Sequence, residues 1–149
     1  MATETKNETA ELLDRMYKNV KMGSDSIINL MPKVKDETLR TEMTKELSRL
    51  EGFSSQISKM IRAEGRKPKE EGIVSKISSK MGMNMNTMID STSSHIAEMM
   101  MEGYTMGITD MTKDIREREN TTASEASLKL ARDIVAFEED SFAQMKKFL

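Results

Sequence analysis

A chain of 149 residues suits one domain with a sizeable core, and the absence of cysteine excludes disulfides, thiolate zinc sites and thiol nucleophiles. Lysine and arginine number 23 against 25 acids, a formal charge of −2 with no basic block and few aromatic side chains, so nucleic-acid partners are not expected. No segment approaches the ~18 apolar residues of a membrane span, and Met1-Ala2-Thr3-Glu4-Thr5-Lys6 has no apolar signal core, which makes no membrane and a cytoplasmic location the expectation.

The first helix is expected over about 9–31. Leu13, Met16, Tyr17, Val20, Ser24, Ile27, Ile28 and Met31 recur there at steps of three and four. Pro32 ends it, because proline disfavours helix in the residue before it. A short turn through Lys33–Asp36 leads to a second helix over about 37–64, striped by Leu39, Met43, Leu47, Leu50, Ser54, Ile57 and Ile61. So short a connection makes the two helices antiparallel neighbours.

Gly65-Arg66-Lys67-Pro68-Lys69 breaks the pattern and opens a crossover over 65–86. Within it, Ile73, Ile77, Met81 and Met85 form a weaker stripe, read as a short helix. The third long helix is expected over about 87–117 and the fourth over about 122–148, with Thr121–Glu125 as the capping region of the last. The alternative is one elongated helix from Gly72 onward, giving a longer hairpin that dimerises. The sequence carries 16 methionines and no tryptophan, which suits an adaptable helical core.

Advancing about 100° per residue tests each helix for inward acids. On the third, Ile96, Met100, Tyr104, Gly107 and Met111 mark the apolar face, while Glu98 and Glu102 fall opposite and His95 at the border. On the fourth, Glu138 falls near the middle of the apolar face, bracketed by Leu130, Ile134, Phe142 and Met145, with Ser141 on the same side. Glu46 on the second helix lies about 40° from its apolar centre. The first helix offers no inward acid, and Ser24 is its most central polar residue. A buried carboxylate has to be paired, protonated or bound to a cation. Glu138 is therefore either a metal ligand or general base, or a hydrogen-bonded polar residue of the core.

The run Met88-Ile89-Asp90-Ser91-Thr92-Ser93-Ser94-His95-Ile96-Ala97-Glu98-Met99 and the ending Ile134-Val135-Ala136-Phe137-Glu138-Glu139 resemble uncharacterised bacterial ferritin-like domains. The resemblance implies an all-α, ferritin-like four-helix bundle, two antiparallel hairpins joined by a crossover. Members with a di-iron centre take Glu-x-x-His from their second and fourth helices. The matching positions read Glu46-Leu47-Ser48-Arg49 and Glu138-Glu139-Asp140-Ser141, so Arg49 and Ser141 stand where imidazoles are needed. With His95 the only histidine, this departure argues against di-iron oxidase chemistry.

His95-x-x-Glu98 supplies two metal-capable groups, too few to close a site. Met81, Met83, Met85 and Met88, followed by His95 and Met99–Met101, suit Cu(I) by ligand type, yet helical spacing scatters the first three around the axis. Gly103 and Gly107 sit within a helix, where small residues allow close helix contact rather than phosphate binding. The leading expectation is a non-enzymatic interaction or structural module without cofactor, acting as a homodimer or with a protein partner through exposed methionine. The alternatives are a degenerate metal-binding protein using Glu46, Glu138 and His95, or a methionine-based Cu(I) protein.

Overall fold

In a computed structural model of the chain, residues 7–69 and 90–149 are described. Among the described residues, four α-helices make up the fold: α1 (Glu8–Leu30), α2 (Glu37–Ala63), α3 (Ser93–Arg118) and α4 (Glu125–Met145). Asn7 caps α1 by accepting from the Ala10 amide, and Glu8 and Glu11 place negative charge in its first turn, where the helix dipole favours it. The helix closes at Leu30, and Met31–Lys33 tightens into a 3-10 turn around Pro32. Asp36 then caps α2, its carboxylate accepting from the Thr38 and Leu39 amides. At the far end of α2, Gly65 takes φ +78°, and the amides of Gly65 and Arg66 return to the Arg62 and Ile61 carbonyls. This is a Schellman stop, which needs a residue free to adopt a left-handed conformation.

The third helix begins at Ser93, not at residue 87 as its periodicity suggested. The Asp90 carboxylate accepts from the Thr92 amide, and the Thr92 hydroxyl accepts from the His95 amide. These local bonds hold residues 90–92 out of the helix and cap it. They also exclude one elongated helix running from Gly72. The fourth helix begins at Glu125 rather than at 122, because Ser124 caps it through the Ser127 amide. Ser127, not a glutamate, occupies the third position of that cap. The helix ends at Met145, and Lys146–Phe148 continues as a 3-10 turn. The short crossover helix and the Met81, Met83, Met85 and Met88 reading lie outside the described residues.

Helix α1 packs against α2 and α3, and α3 against α4, while α2 and α3 meet least. Cross-links order the helices along the axis. Arg118 faces Glu11, Arg15 pairs with Asp114, and the Asn19 amide donates to the Gly107 carbonyl, so α3 runs antiparallel to α1. The backbone amide of Ser124, in the α3–α4 turn, donates to the Thr9 hydroxyl. Arg66 ties the end of α2 to the start of α1 through Asp14 and the Ala10 carbonyl. A chain that leaves α2 at that end re-enters α3 at the other, which is the connectivity of a crossover bundle. The core is aliphatic and methionine-rich, with Met16, Met43, Met111 and Met145 fully buried among leucine and isoleucine. Among the described residues, no helix is long and apolar enough to cross a membrane.

Candidate functional site

Midway along the bundle, three helices bring polar groups into this apolar interior. Glu46 is 2% exposed, and its Oε1 accepts a 2.6 Å hydrogen bond from the Tyr104 hydroxyl of α3. Its Oε2 is buried without a hydrogen-bond partner. Burial pushes the Glu46 carboxyl up to about 9, the nearby Glu42 and Asp140 carboxylates reinforce the rise, and the Tyr104 bond opposes it. At neutral pH Glu46 is therefore a neutral acid.

Tyr104 is buried against the edge of the Phe137 ring, with centroids 6.2 Å apart. Burial and the neighbouring Glu46 carry its phenol well above the ordinary tyrosine range, and the Ser141 hydroxyl hydrogen-bonds to it. Ser141 thus serves Tyr104 at the position where the family resemblance calls for an imidazole. Arg49, at the other such position, extends its guanidinium over the Phe53 and Phe137 rings, 5.6 and 5.2 Å from their centroids. Neither residue presents a metal donor to the interior. Replacing Tyr104 with phenylalanine should remove the donor to Glu46 Oε1 and cost about 1–3 kcal/mol in urea denaturation at pH 7.

Glu138 is 3% exposed, and burial, reinforced by Asp110, raises its carboxyl to about 8. It lies flat on Gly107 of α3. A Cβ at that glycine would stand 3.2 Å from Glu138 Oε1 and 2.5 Å from Oε2, the latter closer than real side chains come. The Gly107 carbonyl accepts from Asn19 Nδ2 at 3.0 Å, so α1, α3 and α4 meet at one residue. Glu138 Oε1 and Asn19 Oδ1 are buried without hydrogen-bond partners.

Both glutamates face inward, and Tyr104 feels both charges. His95 is half-buried in the first turn of α3, nine residues before Tyr104. That is ~13 Å along a helix axis, so the structure does not bring it to either glutamate. Glu98 is exposed, and Met99 and Met100 are core residues. Among the described residues, no three His, Asp or Glu side chains converge as metal ligands.

Sequence reasoning passed over a second buried polar group, nearer the α3–α4 turn. Arg118 is 4% exposed and donates to the Asp114 carbonyl, with the Asp114, Glu11 and Glu117 carboxylates around it. Asp114 is itself buried and also pairs with Arg15. Burial raises its carboxyl while the two arginines pull it down. The available signal was the i,i+4 spacing of Asp114 and Arg118, which also fits an exposed pair.

The chain superposes on a point mutant of Dps1 from Mycobacterium smegmatis with a TM-score of 0.77, 15% identity and 93% of each chain covered. At that identity the likeness establishes the fold, which is all-α and ferritin-like. No curated protein matches the chain in sequence. A family model described as a domain of unknown function, DUF2383, matches residues 8–117, most of the bundle. The chain belongs to the DUF2383 family, and its fold is ferritin-like.

Proposed function

We propose that this bundle is a non-enzymatic protein-interaction or structural module without a di-iron centre, working in the bacterial cytoplasm with a second copy or another protein as partner. The observation that carries the reading is the Tyr104–Glu46 hydrogen bond, which uses one oxygen of the best-placed second-helix acid for an internal contact. The donor set does not fit a di-iron centre. Arg49 and Ser141 stand where a di-iron centre takes imidazoles, and neither supplies one.

One observation favours a second reading, a degenerate metal-binding protein. Glu46 Oε2 and Glu138 Oε1 are buried without hydrogen-bond partners, and a cation that displaced the proton would satisfy either. Elemental analysis separates the two readings. Protein prepared without chelators, incubated with Fe(II), Mn(II) or Zn(II) and desalted, should carry well below one metal ion per chain. Stoichiometric metal that is lost in Glu46→Gln or Glu138→Gln would overturn the proposal.

A further inference from the structure

Helices α3 and α4 leave an open groove of about 490 Å³ beside the end of α4. Its floor is Met101, Met106, Phe142 and Leu149, and its rim carries Glu98 and Glu102. Leu149 is 59% exposed, one of two large apolar side chains so open to solvent among the described residues. Methionine is unbranched and adapts its shape, which suits a surface that receives another side chain. The two glutamates are four residues apart on one helix, an arrangement of like charge that repels. Among the described residues, no cation pairs with either of them. Both charges lining the groove are therefore negative. The Lys146 ammonium close by is engaged over the Phe142 ring, 5.4 Å from its centroid.

An apolar floor and an acidic rim on a helical surface match an amphipathic helix with basic flanks. We propose that this groove docks a basic amphipathic helix of a partner protein. The apolar stripe of that helix covers Met101, Met106, Phe142 and Leu149, and its lysines or arginines neutralise Glu98 and Glu102. The assignment rests on reading the protein as an interaction module and names the surface and the chemical class of its partner. Complementary charge at the rim relieves the repulsion within α3 and selects against acidic partners.

A labelled helical peptide of leucine and lysine, titrated with the full chain and followed by fluorescence anisotropy, tests this. Binding is expected for the amphipathic order. A peptide of the same composition in permuted order, or with glutamate for lysine, should bind at least about tenfold more weakly, a difference of ~1.4 kcal/mol. Glu98→Lys with Glu102→Lys should cause a similar loss, Leu149→Ser a smaller one, and Glu51→Lys on the exposed face of α2 none. Circular dichroism melts confirm that each variant folds. Equal binding of the permuted peptide, no effect of the rim changes, or no binding to the wild-type chain would overturn the proposal. So would light scattering that shows a dimer dissolved by the rim changes, since a second copy would then occupy the groove. Failure here without stoichiometric metal removes only the groove assignment, whereas stoichiometric metal removes the module reading itself.

Discussion

Stability of the bundle should fall as pH rises from about 5.5 to 9, and glutamine at both Glu46 and Glu138 should flatten most of that fall. The ordinary carboxyl value is 4.5, and in the folded chain Glu46 is pushed up to about 9 and Glu138 to about 8. Between those limits the folded protein holds protons that the unfolded chain releases, so raising the pH favours unfolding. The stabilisation is complete below 4.5 and lost through about 8 for Glu138 and about 9 for Glu46. Each group contributes a slope of up to ~1.4 kcal/mol per pH unit, so the two together amount to several kcal/mol across the window. Glutamine keeps an acceptor for the Tyr104 hydroxyl and carries no charge at any pH. Urea denaturation of wild type and of Glu46→Gln/Glu138→Gln at several pH values checks this, and a flat wild-type curve would contradict it.

The second large effect is expected at Gly107. Alanine or valine in a helix interior ordinarily gains over glycine in backbone propensity, by about 1 kcal/mol for alanine. Here the new Cβ would meet the Glu138 carboxyl at 2.5 Å. The carboxyl is buried against α3, so relief requires α3 and α4 to part or the acid to leave its place. Gly107→Ala should therefore destabilise the bundle by about 2 kcal/mol, as overpacking does in a filled core. In a Glu138→Ala background the clash is gone, and Gly107→Ala should become neutral or stabilising. A double-mutant cycle by thermal denaturation reads that reversal of sign. Equal cost in both backgrounds would place the strain elsewhere.

Much of the architecture is legible because helical periodicity reports which face is buried without reference to any partner. That is why Glu46, Glu138 and Ser141 could be read as inward, and Glu98 and Glu102 as outward, from spacing alone. Periodicity does not say which inward residues touch. The Tyr104–Glu46 bond joins residues 58 apart, and the Asn19–Gly107 bond joins residues 88 apart. Helix starts were misplaced for a local reason. Asp90 and Thr92 before α3, and Ser124 before α4, bind nearby amides and end the helical run several residues inside the apolar pattern. Arg118 escaped notice because its charge suggests solvent, whereas its guanidinium is enclosed by carboxylates from two helices.

The bond from the Ser124 amide to the Thr9 hydroxyl has a kinetic side. It joins residues 115 apart, while each hairpin is held together by contacts between neighbours in the chain. Loop-closure entropy rises with the length enclosed, so the hairpins can form cheaply and their mutual docking carries the main entropic cost. For an all-helical protein that makes folding slow relative to its helix content. The seam between α1 and α3, lined by Asn19, Gly107, Asp114 and Arg118, closes only when the hairpins dock.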